Sequence, residues 1–184
     1  YATLAIDLII LISVAFLVDL IARKIILRTL NSIIRRSETK IDDIFFKHRV
    51  FRSIAHVLPA IVFLIGSPFV FRDFPEAGAW FDKLAYLLMV LAVIWVIFSF
   101  LDAAQELLEK SAHLKDKPIQ SYIQVAKLMA VIVALILAIS TLLGKSPLVV
   151  LSAFGAVAAV LIFVFKDTIL GLVASIQISV NNLV

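Results

Sequence analysis

The chain contains no cysteine, which excludes disulfides, thiolate metal sites and cysteine nucleophiles. Charge is scarce as well: 16% of its 184 residues are charged, against ~25% in soluble domains. Signatures of catalysis are missing. There is no glycine-rich phosphate loop, nucleophile elbow, His-Glu-x-x-His or pair of intramembrane aspartates. Catalysis has no foothold here, and neither a cofactor nor a metal is expected. His48 and His113 sit in polar connectors without companions at metal-ligand spacing. Period-two alternation is absent from the apolar runs, so a membrane barrel is not expected either.

What the chain has in excess is apolar surface. Hydrophobic residues reach 63%, against ~45–50% in ordinary domains. A soluble core of this size cannot bury that much, so the expected fold class is an all-α integral membrane protein. Five segments approach the ~20 apolar residues that cross a bilayer: Leu4–Ala22, Ile54–Phe71, Leu84–Leu101, Tyr122–Leu143 and Leu148–Phe165. No small-residue cleavage pattern follows the first, which reads as a retained membrane helix. Pro59, Gly66 and Pro68 predict a kink in the second span and a ragged end near Pro68.

The positive charges are sorted. The first connector holds nine Lys and Arg residues, the second two, the third three and the fourth only Lys145. By the positive-inside rule the first and third connectors are cytoplasmic, the N-terminus is outside and the C-terminus inside. Within the first connector, Arg23–Arg36 prolongs the first helix with an apolar stripe of Ile25, Ile26, Leu30, Ile33 and Ile34. Ile41–Arg52 reads as a second amphipathic piece, with Ile44, Phe45, Val50 and Phe51 among basic residues. Such pieces are expected at the headgroup level, basic side toward anionic lipid. A solvated hairpin packing on itself is the alternative. Nucleic acid is not an expected partner, since lipid contact accounts better for the Phe and Ile residues.

Asp7 and Asp19 lie about 120° apart on the first helix and do not share a face. Asp7 is expected near the outer end, in contact with water. Asp19 is one turn from Arg23, as an i,i+4 ion pair requires; a proton relay is the other reading of an acid at this depth. His56 reads as an interfacial side chain, and Lys127 has a stem long enough to reach the interface.

The last segment is different in kind. Its first half concentrates the small residues Ser152, Ala153, Gly155, Ala156, Ala158 and Ala159, which let helices approach closely in lipid. Ser146 and Pro147 suit the start of a helix. Lys166-Asp167 then interrupts the apolar run, and Ile169, Leu172, Val173, Ile176 and Val180 form a stripe beyond it, with Thr168, Gly171, Ser175 and Asn182 largely off it. Leu151–Gln177, including Phe-Lys-Asp-Thr-Ile-Leu-Gly-Leu-Val-Ala, resembles the pore helix of the small-conductance mechanosensitive (MscS-like) channel family, nearest its miniconductance, YbdG-type branch.

The resemblance implies a homoheptamer in a bacterial inner membrane that opens under tension and releases ions and small osmolytes. Residues 1–143 would form a four-span paddle, with its amphipathic connector at 23–53. Residues 144–184 would form the pore unit, spanning the membrane over 147–166, kinking, and lying along its inner face over 168–183. A cytoplasmic β and αβ domain would follow the end of this sequence. The family's two apolar gate rings fall on Ala159 and Phe163, its packing positions on Ser152, Gly155, Ala156 and Ala158, and its kink on Lys166, Asp167 or Gly171. Ala159 is smaller than the family's residue, Val160 and Ile162 are larger, and Asp167 replaces the kink glycine. A secondary transporter would want inverted repeats, which Pro59 and Gly66 do not find in a second half. A non-conducting membrane scaffold is the remaining alternative.

Overall fold

The structure is a computed structural model describing the backbone of residues 2–34, 40–110 and 118–180 and the side chains of residues 3–25, 44–110 and 118–178. It is all-helical, without strands among the described residues: α1 (Ala2–Ile34), α2 (Lys40–Lys47), α3 (Val50–Ala55), α4 (Val57–Val70), α5 (Pro75–Glu109), α6 (Ile119–Leu143) and α7 (Pro147–Val180). Five stretches are long and apolar enough to cross a membrane: Thr3–Ile25, Val50–Val70, Pro75–Glu109, Ile119–Leu143 and Pro147–Ile178. They coincide with the five spans expected from the sequence. Side chains of Ile26, Leu30, Ile33, Ile34 and Ile41, and residues His113 and Asn182, lie outside what is described.

The helices stand in a row. α1 packs on α3 and α4, these pack with α2 on α5, α5 packs on α6, and α6 on α7. In lipid no hydrophobic gain drives such contacts, so close approach of backbones must supply it. The buried positions show how. α5 buries Gly78, Ala85, Ala92 and Ser99, each seven residues from the last. α3 and α4 bury Ser53, Ala60 and Ser67 at the same interval. A seven-residue period keeps one seam in register between helices crossing at a shallow angle. Ser53 Oγ and Ser99 Oγ, 2.6 Å apart, add a hydrogen bond across that seam.

The second span breaks elsewhere than expected. Pro68 lies inside α4, which runs on to Val70, whereas the helix is interrupted at His56, between α3 and α4. Pro59 explains the shift: it offers no N–H to the carbonyl of Ala55, and its ring crowds that carbonyl. A second interruption falls at Arg49, whose φ of 55° is left-handed. Most of the connector's amphipathic stripe also points into the protein rather than toward lipid. Ile44 and Val50 are buried against Ala103 of α5, with Phe45 and Leu107 beside them.

The α4–α5 turn is closed by Phe71, which packs on Phe81 with ring centroids 4.9 Å apart. A side chain on Gly78 would place its Cβ 2.8 Å from Cβ of Phe71, an atom that cannot swing away. Gly66 meets only the tip of the Leu11 side chain. Gly78→Ala should therefore lower the stability of the solubilised protein by about 1–3 kcal/mol, and Gly66→Ala by clearly less. Denaturation midpoints of the two variants check this ordering.

Candidate functional site

α7 is nearly bare within its own chain. Val150, at 5% exposure, is its buried residue near the start; every described residue from Leu151 to Ile178 is exposed. The turn that launches α7 is tight. Gly144 ends α6 in the left-handed region with φ 62°, and Lys145 N–H donates to the Ser140 carbonyl at 3.0 Å, closing a Schellman motif. Ser146 then caps α7: its carbonyl accepts from the Val149 and Val150 amides at 3.1 and 3.3 Å.

The helix is unbroken across Lys166-Asp167, so the interruption expected there does not occur as a loss of helix. Neither residue is a helix breaker, and Gly171 lowers propensity by only ~1 kcal/mol. At 34 residues and ~1.5 Å per residue it is about 51 Å long, well beyond a ~30 Å hydrocarbon core. Continuity fixes which side chains share a face. At ~100° per residue, Ser152, Gly155, Ala156, Ala159, Phe163 and Lys166 fall within an arc of about 100°, while Ala158 stands about 100° from Ala159. The expected gate positions and most of the expected packing positions thus border one another, and Ala158 is to the side. Phe163 is 79% exposed, and a Cβ on Gly155 or Gly171 would meet nothing.

At the other functional extreme are charges held between helices. Asp19 is 6% exposed and pairs with Arg23 as its i,i+4 spacing predicted. Its Oδ1 has no hydrogen-bond partner among the described residues, with His56 Nδ1 3.6 Å away. His56 is no loose interfacial side chain: it stacks on Trp95 with ring centroids 5.4 Å apart. These residues close one side of an apolar groove of about 510 Å³ between α1, α4 and α5. Lys127, expected to reach for the interface, instead pairs with Asp102 of α5. Asp7 lines a second open groove with Leu11, Gly66 and Phe69.

No protein-family model matches this chain, and no solved structure matches it.

Beyond the apolar stretch Leu84–Leu101, the last turns of α5 carry Asp102, Glu106 and Glu109. Glu106 collects three partners: Lys110 at 2.6 Å, Lys47 at 2.9 Å and His48 at 2.6 Å. Hydrogen bonds from Lys110, Lys47 and His48 hold its carboxyl down at about 2. The cluster ties α2 to α5. Nothing local announces it, because Lys47 and Glu106 are far apart in sequence. The one available hint is an acid cluster ending a span beside a strongly basic connector. No group of three or more His, Cys, Asp and Glu able to hold a metal occurs among the described residues.

A depressed carboxylate stabilises above the ordinary carboxylate range and loses that contribution as pH falls toward its folded value. The contribution of this carboxylate to the docking of α2 should therefore be fully present above about pH 4.5 and fade from there toward about 2. A nitroxide attached through Phe46→Cys reports it: its mobility rises in that acid window, and in Glu106→Gln it is already high at neutral pH.

Proposed function

We propose that the protein is a tension-gated channel of the MscS-like kind, with several copies of α7 surrounding one aqueous pore. The observation that carries this reading is the bareness of α7. A helix that presents Ser152, Gly155, Ala156 and Ala159 on one face, exposed on the outside of its own subunit, is suited to packing on copies of itself. Seven copies, a bacterial inner membrane and a cytoplasmic C-terminus are carried by the family resemblance of Leu151–Gln177 and by the charge asymmetry of the connectors.

Phe163 and Ala159 would form successive rings on that face. A ring of phenyl groups narrows the pore and excludes ions by dewetting without sealing it. Membrane tension favours whichever state occupies more area, and it shifts the population only through that difference. Outward movement of the α1–α6 row reaches α7 through α6 and the short Gly144–Ser146 turn, where little slack exists. Conduction would be weakly selective, since α7 offers no carbonyl filter and each copy brings a cation and an acid side by side, Lys166 and Asp167, whose charges offset one another. Ions and small osmolytes would leave the cell under hypo-osmotic stress.

One observation favours secondary transport instead: Asp19, with an unpartnered oxygen beside an open groove, is the kind of intramembrane acid that marks a pathway. Mass of the solubilised complex separates the readings, with about seven copies supporting the channel and one or two a transporter or a scaffold. In patch recordings, Phe163→Ser should raise the zero-tension open probability by about tenfold, equivalent to ~1.4 kcal/mol, and lower the pressure threshold. An unchanged threshold would remove Phe163 from the gate. Ala159→Cys should react with water-soluble thiol reagents in stretched vesicles.

A further inference from the structure

We infer that the elbow between α2 and α3 is a binding cleft for the phosphate of an anionic glycerophospholipid. A cleft of about 260 Å³ is lined there by Phe46, Lys47, Arg49, Phe51 and Arg52. Three of the five residues are cations and none is an acid. Lys47 is shared with Glu106, but Arg49 and Arg52 have no ion-pair or hydrogen-bond partner in their side chains among the described residues. The cleft arises from backbone geometry. Left-handed Arg49 turns the chain between the two helices, so that side chains from the end of α2 and the start of α3 converge.

Depth decides the source of the phosphate. Val50 begins the apolar stretch Val50–Val70, so the cleft sits where a span enters the membrane. Ile54, one turn further in, is 42% exposed and faces the acyl region, while Phe46 and Phe51 suit the boundary between headgroup and chain. Ile44 and Val50 are turned into the protein, which leaves the basic residues as the outward chemistry of this elbow. A guanidinium pair matches phosphate oxygens in a way that a single ammonium does not. The side chains of Asp42 and Asp43 on α2 are outside those described.

The test uses native mass spectrometry of the full protein taken from vesicles of phosphatidylcholine containing phosphatidylglycerol as a minor component. Wild type should retain phosphatidylglycerol in preference to phosphatidylcholine. The double variant Arg49→Asn, Arg52→Gln should lose that preference by about tenfold; Asn is chosen because it tolerates the left-handed region. Arg49→Lys, Arg52→Lys should keep part of it, which shows that a folded protein is being read. The control pair Lys83→Gln, Lys145→Gln removes equal charge near the opposite ends of α5 and α6 and should change nothing. Equal loss in the control pair, no loss in the arginine pair, or displacement of the lipid by millimolar inorganic phosphate would each overturn the assignment. None of these readings depends on whether the protein conducts.

Discussion

Two apolar helices in a bilayer gain nothing from the hydrophobic effect when they touch, because lipid tails are as apolar as leucine. Everything in this fold follows from that constraint. Large side chains are left facing outward along every span: Ile10, Phe69, Leu91, Val133 and Phe154 are all exposed. Most of what is buried within the spans is small or polar. Ala15, Ala60, Ala85 and Ala92 let backbones approach, and Ser53, Ser67, Ser99 and Ser140 are buried beside them. Asp19 is the extreme case, tolerated at depth because Arg23 neutralises it from the next turn of the same helix.

The same constraint explains what could be read from the sequence. Span number and position are legible because length and hydropathy are local: all five expected spans fall within or overlap the long apolar helices, although the third and fifth helices run about eight to thirteen residues further. The Asp19–Arg23 pair was legible because its spacing is one helical turn. The small-residue seam of α5 is hard to see in the sequence, although its period of seven is present there, because its members stand singly among large apolar residues, whereas those of α7 cluster. The Asp102–Lys127 and Glu106–Lys47 pairs join residues on different helices, and no single-helix period reveals them. Pro59 and Pro68 are equal as helix breakers on the sequence, yet the break falls at His56, and Pro68 is carried inside α4 with no loss of helix.

α7 reverses the logic of the other spans. In α4 and α5 a row of small residues is buried against a neighbour; here Ser152, Gly155, Ala156 and Ala159 form a comparable face that the chain itself leaves exposed. Backbone atoms along such a face forgo dispersion contacts that a matching helix would supply. Lipid tails can coat the face but cannot fit it as closely. The phenyl ring of Phe163 stands on the same arc, so copies that pack through the small residues bring Phe163 toward their common axis. In the proposed assembly, packing and constriction would then be one geometric arrangement rather than two. The larger Val160 and Ile162 flank this arc and limit how near the lower halves of adjacent helices come.

The two ends of the row are held by different forces. At the basic end, charges link successive helices: Arg23, Asp19 and His56 lie between α1 and the α3–α4 junction, Lys47 and His48 bind Glu106, and Asp102 binds Lys127 of α6. At the opposite end the links are aromatic and backbone: Phe63, Phe71 and Phe81 pack together, and Lys83 donates to the Leu142 carbonyl at 3.2 Å. Ion pairs between partly exposed groups weaken with salt; ring packing does not. At the basic end the ion pairs add to the packing of Ile44 and Val50 on Ala103, so salt would loosen it only in part. In the proposed channel the basic end, with its helix breaks at Arg49 and His56, would yield first under tension, and the opposite end, which leads through Gly144 directly into α7, would pass displacement on.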